Sequence, residues 1–361
     1  MSSKEHKIFI LYSLFVLFFI FLTTKYLTLY EIIHVAGQMD AISYTEISSS
    51  APDLPKNNDI IIKHVAQRFL IPYLAGSISN FLNIDNFLIF KFFTQIFILI
   101  FWGLVFFYIK NQKFNIRESI IFFSLLFLNP YIIRNHLFNP VQAHDLLFFS
   151  ITLILSYLII NNKSRWLIFF GSVGIFLRQT AVAIFIGSFL ILLKKKRFVE
   201  CFFLSILFLF FLIFISFIAD IISPHNFSFK YAYGIIFYDF YQIEKLIRFL
   251  GLPIISFFPL GIFIFSKIKK NIDKDKFLIL SFICLMMIAQ PIMAGPDGSL
   301  RNVVRISTLC YPIIVSLLFY RYEISKTINN NLFFITYIIG LFFWSLHPTF
   351  SIFDFFGFLR F

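Results

Sequence analysis

The segment Trp166–Leu193, WLIFFGSVGIFLRQTAVAIFIGSFLILL, carries Arg178 in the middle of an otherwise apolar run. The run is too short for two full membrane spans, because each crossing helix needs about 20 residues. Lys163 and Arg165 precede it, and the basic run Lys194–Arg197 follows it. A single crossing would leave one of these basic clusters on the exterior side. We therefore predict a re-entrant hairpin of two half-length helices over residues 166–193, which keeps both clusters on the cytoplasmic side.

The composition of the 361-residue chain is typical of a membrane protein. Hydrophobic residues make up 59% of the sequence and charged residues 14%, against roughly half and about a quarter in soluble domains. The mean hydropathy is +0.86. Because so few polar residues cannot cover a soluble core, a soluble enzyme and a nucleic-acid-binding module are excluded, despite the net charge of +13. We predict one all-α, polytopic transmembrane domain over residues 1–361.

The basic residues indicate how this helical bundle is oriented, since Lys and Arg accumulate in cytoplasmic loops. With the N-terminus inside, more than half of the 31 Lys and Arg residues fall on the cytoplasmic side, with few acids. We predict an integral protein of the plasma (inner) membrane of a bacterium, with its active site on the exterior or periplasmic face. The other apolar stretches that we predict to enter the membrane are Ile8–Leu29, Phe87–Ile109, Ser119–Ile133, Gln142–Ile160, Phe198–Ile222, Leu250–Phe265, Phe277–Met293, Val303–Tyr320 and Leu332–Leu346.

Residues 30–86 form the longest predicted exterior loop. Two short helices are expected in it, over Ala36–Ser48 and Asp59–Leu70. Asp40 and Tyr44 are four residues apart, so they share a face of the first helix. In the second helix, apolar residues oppose polar ones, a pattern that suits a helix lying in the membrane interface.

Further ionisable residues gather where other predicted helices emerge on the exterior face. Asp145 follows His144 near the start of one helix, and Arg301 and Arg305 lie one helical turn apart before another. Arginine side chains beside helix N-termini are a ready anion site. Arg178 is expected at membrane depth. Placing an arginine there costs a few kcal/mol or more of free energy unless the side chain forms an ion pair or contacts water.

An exterior carboxylate beside several arginines fits sugar transfer from a lipid phosphate. The carboxylate takes the proton from an attacking hydroxyl. The arginines hold the phosphate and stabilise the negative charge that develops as the sugar leaves. A phosphate is a good leaving group, so this chemistry needs no second acid, unlike hydrolysis by paired carboxylates.

Five motifs in this order resemble the GT-C superfamily, the multi-spanning glycosyltransferases that use polyprenyl-phosphate sugars. The motifs are QMDAISY at Gln38–Tyr44, RFLIPYL at Arg68–Leu74, AHDLL at Ala143–Leu147, LRQT at Leu177–Thr180 and NVVR at Asn302–Arg305. The resemblance runs from the first helix to about Tyr320. It implies a GT-C-type bundle whose first exterior loop carries interfacial helices. It also implies transfer of a sugar to a glycan, lipid or protein acceptor of the cell envelope.

The resemblance also implies roles for individual residues. Asp40 is expected to be the catalytic base, and Asp145 a second acidic residue of the catalytic site, near the acceptor or a metal. The implied contacts to the donor phosphate are Arg68, Arg178, Arg301 and Arg305. The implied contacts to the acceptor or sugar are Tyr44, His144, Gln179 and Asn302. No cofactor is expected, and a divalent cation has no support from the spacing of His, Cys or acidic residues.

Several alternatives stay open on the sequence alone. A polymerase or ligase of lipid-linked polysaccharide also acts on the exterior face, although its large exterior loop usually comes late in the chain. A lipid or glycan flippase would need polar residues lining a path across the bilayer. Asp145 could merely favour a helix dipole, and Arg178 could belong to a structural salt bridge. Arg301 and Arg305 could face lipid headgroups.

Overall fold

The computed structural model describes residues 2–26, 38–225, 257–270, 272–293 and 308–346. Three of the predicted site residues, Arg301, Asn302 and Arg305, lie outside the described residues. The described part is all-α apart from one short antiparallel pairing of β1 (Lys267–Ile268) with β2 (Tyr322–Glu323). The predicted all-α class is thus confirmed.

The helices follow the apolar runs of the sequence. They are α1 (Ser3–Tyr26), α2 (Gln38–Ser50), α3 (Lys63–Ala66), α4 (Leu70–Leu82), α5 (Asn86–Gln112), α6 (Ile116–Phe127), α7 (Arg134–Phe138), α8 (His144–Ile160), α9 (Leu167–Val173), α10 (Ala181–Lys194), α11 (Phe198–Ile222), α12 (Lys274–Met293), α13 (Tyr311–Arg321) and α14 (Asn331–Leu346). Short 3₁₀ turns lie at Pro140–Gln142, Ser164–Trp166, Gly174–Phe176, Phe258–Phe265 and Thr327–Asn329.

Four stretches of the described chain are long and apolar enough to cross a membrane: Ser3–Thr24, Asn86–Gln112, Pro140–Ile160 and Phe198–Ile222. The helix α11 is the most apolar of them. Only 22% of its most apolar 18-residue stretch is buried inside the protein. Its large side chains, such as Phe202, Phe210 and Ile213, point outward. An apolar outer face of this kind is stable in lipid and not in water. The fold therefore indicates an integral membrane protein.

Residues 166–193 form two helices that pack antiparallel, with a break around Arg178 between them. Gly171 of α9 faces Ser188 of α10 so closely that a Cβ on the glycine would lie 2.9 Å from the serine Oγ. At the open end, Lys195 donates to the side chain of Asn162 over 2.9 Å. The two ends of the segment therefore lie together, and Arg178 lies at the opposite, closed end.

The basic loops converge on one end of the bundle, which we call the basic end. Lys269 donates to the carbonyl of Phe319 at 2.8 Å. Lys276 donates to the carbonyl of Ile160, the last residue of α8, at 2.9 Å. Arg117 at the start of α6 reaches the carbonyls of Ile328 and Asn329, both at 2.7 Å. These bonds join α6, α8, α12 and α13 through the loops that the sequence predicts to be cytoplasmic.

The helices α8 and α11 run from this end to the opposite one. The 17-residue α8 spans about 25 Å. It ends at the basic end, and its first turn carries Asp145. The helix α11 ends at the far side, where Asp220 forms an ion pair with Lys63. There the backbone N–H groups of Asn57 and Asn58 donate to the carbonyls of Ile221 and Ile222. The predicted exterior loop thus closes over the far end of the bundle.

Some predicted elements are wrong in extent. The helix expected over Asp59–Leu70 is reduced to the single turn of α3, because the chain before it bonds to the end of α11 instead. The run Ser119–Ile133 is interrupted after Phe127. Pro130 follows Asn129 there, and the residue before a proline is disfavoured in helices. Of Leu250–Phe265, the described part is a 3₁₀ turn.

Candidate functional site

A buried ion pair joins α8 to the closed end of the α9–α10 hairpin. Asp145 lies in the first turn of α8, and Arg178 lies in the break before α10. The Nε atom of Arg178 donates to Oδ1 of Asp145, and its Nη2 donates to Oδ2. Both side chains are buried. Two parallel bonds between a guanidinium and a carboxylate fix the relative orientation of both groups.

Two imidazoles also face this carboxylate. The Nε2 atom of His144 lies 3.3 Å from Oδ1 of Asp145, and the Nε2 atom of His136 lies 3.6 Å from Oδ2. His136, on α7, is also bound through Nδ1 to the carbonyl of Ile132. Both oxygens of Asp145 are therefore occupied by protein groups. An acid enclosed in this way is a counter-ion for Arg178.

A second arginine continues the network toward the exterior loop. The Tyr44 hydroxyl lies 3.2 Å from Nε2 of His144. Arg68 donates through Nη1 to the same hydroxyl at 3.2 Å. Tyr44 and Arg68 are both buried, although both come from the predicted exterior loop. The loop therefore does not lie loosely over the bundle but inserts two polar side chains beside the Asp145–Arg178 pair.

Gln179 holds the hairpin against α3. Its Oε1 accepts from Nε and Nη2 of Arg68 at 3.0 and 2.8 Å. Its Nε2 donates to the carbonyl of His64 at 2.7 Å and to Oε1 of Gln67 at 2.8 Å. One amide thus uses both donors and both acceptor positions. These bonds fix Arg68 next to Arg178, the neighbour of Gln179 in sequence.

Asp40 and His64 form the exposed edge of the network. The Nε2 atom of His64 lies 3.4 Å from Oδ1 of Asp40. The side chain of Asp40 is 18% exposed and that of His64 is 38% exposed, whereas Asp145 is fully enclosed. The charge of Asp40 also acts on Tyr44, Arg68 and Arg178. Asp40 is therefore a partly exposed acid that interacts electrostatically with Arg68 and Arg178.

Burial controls the protonation of the two loop residues inside the network. It raises the pKa of the Tyr44 phenol above its ordinary value, and the nearby Arg68 charge opposes this only in part. Burial also lowers the pKa of Arg68, with a further contribution from the like charge of Arg178. Tyr44 is thus a neutral phenol near pH 7, while an arginine remains charged there.

The structure brings seven of the predicted site residues into one network of hydrogen bonds and ion-pair contacts: Asp40, Tyr44, Arg68, His144, Asp145, Arg178 and Gln179. The roles assigned to them from the sequence stay predictions. The sequence reasoning missed His64, Gln67 and His136 as members. His64 lies four residues before Arg68, and His136 lies in the same loop as Asp145, so their positions were a usable signal. Which groups they contact depends on tertiary packing.

Two cavities in the described part of the chain lie away from this network. One, of about 150 Å³, is at the basic end beside Lys113, Glu118 and Lys269. The other, of about 280 Å³, is an apolar groove along α14. Asp40 and His64 are partly exposed members of this network. No metal-binding group of three or more His, Cys, Asp or Glu side chains occurs among the described residues.

Comparison with known proteins gives no match: no family model, no curated protein and no solved structure corresponds to this chain. A functional assignment therefore rests on the chemistry of the residues themselves.

Proposed function

We propose that this protein is a membrane-embedded glycosyltransferase of the GT-C type. It transfers a sugar from a polyprenyl-phosphate donor to a glycan, lipid or protein acceptor on the exterior face of the membrane. One observation carries the proposal: Asp40, a partly exposed acid, stands in the field of Arg68 and Arg178 at the end of the bundle opposite the basic loops. That arrangement combines a base with two phosphate-binding cations.

In the proposed reaction, Asp40 takes the proton from an acceptor hydroxyl. The acceptor oxygen forms a bond to the anomeric carbon while the bond from that carbon to the phosphate oxygen breaks. The released lipid phosphate carries away the bonding electrons. The contact from His64 orients the Asp40 carboxylate.

The arginines have different tasks in this proposal. Arg178 uses Nε and Nη2 on Asp145, and its positive charge acts on the donor phosphate from within the enclosed network. Arg68 is held on Gln179 and Tyr44 at its side. Asp145 fixes the direction of Arg178 and balances its charge, so we assign it a positioning role instead of acid catalysis. A fixed pair of cations favours a charge that grows at the phosphate as the sugar leaves.

The membrane arrangement follows from the same assignment. The α9–α10 hairpin is re-entrant, with its open end among the basic, cytoplasmic loops and its closed end toward the exterior. The donor diffuses in the bilayer and offers its phosphate at the level of Arg178. Two features support this placement: the open end of the hairpin carries Lys195, and the closed end carries Arg178.

The test is transfer of radiolabelled sugar from polyprenyl phosphate by purified protein. Asp40→Asn removes the base but keeps the size of the side chain, and we expect transfer to fall by a factor of about 10² to 10⁴. Asp53→Asn, an exposed acid of the same loop, is the matched control and keeps full activity. Wild-type turnover in Asp40→Asn would contradict the assigned base, and no transfer by the wild type would contradict the reaction.

A further inference from the structure

Arg134 on α7 is a second buried arginine, and its surroundings differ from those of Arg178. Its side chain is 1% exposed. It donates through Nη1 to the hydroxyl of Thr24 and through Nη2 to the hydroxyl of Ser345, each at 3.2 Å. Its Nε atom is buried without a hydrogen-bond partner. No acidic side chain among the described residues forms an ion pair with it.

This state is physically unusual for a guanidinium. Burial lowers the pKa of Arg134 to about 10, and no carboxylate of the described residues offsets this shift. The group is nevertheless charged at neutral pH. A buried charge is normally paired, because desolvation without a counter-ion costs several kcal/mol. Two hydroxyl groups do not neutralise it. An anion is therefore the expected partner of Arg134.

An apolar groove runs along one face of α14, the helix whose Ser345 binds Arg134. It is lined by residues of one helix face, including Phe333, Tyr337, Gly340 and Trp344, and by the turn at Phe258 and Pro259, and its volume is about 280 Å³. The indole Nε1 of Trp344 is buried without a hydrogen-bond partner at the far end of this groove. The groove is thus apolar along its length, and Trp344, which lines it, has an N–H donor without a partner.

The groove and Ser345, the residue of α14 that binds Arg134, lie on the same face of α14. Leu341 lines the groove, and Ser345, which binds Arg134, follows it by one turn. The helix α14 begins at the basic end, where Arg117 contacts Asn331. It runs toward the opposite end of the bundle, where Asp145 and Arg178 lie. From Phe333 to Trp344 the groove extends about 17 Å. Hydrocarbon would lie along the helix, and its charged head would reach the guanidinium.

We propose that the α14 groove and Arg134 bind one anionic glycerophospholipid. Its hydrocarbon lies against Tyr337, Gly340 and Leu341, and its phosphate accepts from Arg134. The site is separate from the Asp40–Asp145 network: His136 faces Asp145, while Arg134, two residues earlier on the same short helix, faces α1 and α14. The lipid is therefore a structural ligand and not a substrate. This proposal does not depend on the proposed enzymatic function.

The experiment measures lipid binding to the full-length protein. Delipidated protein in detergent is titrated with phosphatidylglycerol, with phosphatidylcholine of the same acyl chains and with inorganic phosphate, and thermal unfolding is followed. We expect phosphatidylglycerol to raise the unfolding temperature and the other two probes to have little effect. Arg134→Gln should weaken the apparent affinity about tenfold, the usual loss for one charge-assisted contact.

A glycine substitution tests the groove separately from the charge. Gly340→Leu places a side chain in the groove, and its new Cβ meets no atom within 4 Å. Gly103→Leu on α5 is the matched control, since its Cβ also meets no atom within 4 Å and it lies outside the groove. We expect Gly340→Leu to lose the phosphatidylglycerol effect and Gly103→Leu to keep it.

Three results would overturn the proposal. The first is an unchanged response of Arg134→Gln or Gly340→Leu to phosphatidylglycerol. The second is a full effect of inorganic phosphate alone, which would remove the role of the groove. The third is a thermodynamic coupling of Arg134 to Glu31 or Asp354 in double-mutant cycles, because a carboxylate of the chain itself would then be the counter-ion.

Discussion

Two aspartates of the site differ in what surrounds them, and this difference separates their tasks. Asp145 is enclosed by Arg178, His136 and His144, so its charge is already compensated. Asp40 meets His64 at 3.4 Å and keeps an exposed surface. A base must reach the proton that it abstracts. In the proposed reaction the partly exposed Asp40 is therefore the base, and Asp145 holds Arg178 in place.

The enclosed pair gives a prediction about stability. Arg178→Gln leaves the Asp145 carboxylate buried without its guanidinium, so we expect the free energy of unfolding to fall by about 3–5 kcal/mol. Denaturant unfolding in detergent micelles measures it. Adding Asp145→Asn to this variant should restore part of the loss, because no uncompensated charge then remains. Asp40→Asn is the control and should change stability by about 0.5 kcal/mol or less. Equal stability of Arg178→Gln and the wild type would contradict the prediction.

At the scale of residues, the sequence predicts which side chains belong to the site better than it predicts which groups they contact. Arg178 stands out because it interrupts an apolar run, and Asp40 and Tyr44 stand out because they are four residues apart. The pairing of Arg178 with Asp145 joins positions 33 residues apart. This pairing forms because the closed end of the α9–α10 hairpin packs beside the start of α8. No local sequence pattern predicts that packing. The same holds for Arg134, whose contacts come from α1 and α14.

At the scale of elements, the position of α2 depends on its contact with α4. Gly76 of α4 lies against the backbone of α2, and a Cβ on it would be 1.8 Å from the carbonyl oxygen of Ser48. The two helices can approach this closely only because position 76 has no side chain. The helix α2 carries Asp40 and Tyr44, so this contact helps to set where both side chains enter the site.

Gly76→Ala should therefore push α2 away from α4. We expect a loss of about 1–3 kcal/mol in stability, as for an overpacked core, together with reduced transfer activity. Gly103→Ala on α5 is the matched control, because its Cβ meets no atom within 4 Å. It should be neutral or stabilising by up to about 1 kcal/mol, the difference in helix propensity. Similar behaviour of the two variants in unfolding and transfer assays would show that the close contact is unimportant.

The elements themselves are predictable where the hydrophobic pattern is long. The runs at Phe87–Ile109 and Phe198–Ile222 form the helices expected, since each is uniformly apolar. The amphipathic pattern over Asp59–Leu70 predicts a longer helix than α3. There, hydrogen bonds from Asn57 and Asn58 to the end of α11 determine the chain path, and such tertiary contacts override a local pattern.

At the scale of the whole molecule, the two ends of the bundle have different chemistry. The basic end is held by bonds from lysines and arginines to backbone carbonyls, such as Lys269 to Phe319 and Lys276 to Ile160. The opposite end carries the acid–arginine network. Since basic loops remain in the cytoplasm, the proposed function requires the site end to face the exterior. The ends must then lie on opposite sides of the membrane.

Labelling of single cysteines tests this arrangement in intact cells. Asp53→Cys lies at the site end and Asn111→Cys at the basic end, and both positions are exposed. A membrane-impermeant maleimide should label Asp53→Cys in intact cells, and Asn111→Cys only after permeabilisation. The native Cys201, Cys284 and Cys310 are buried, so they add little background. The reverse pattern would place the site in the cytoplasm, and labelling of both positions in intact cells would mean that the two ends do not lie on opposite sides.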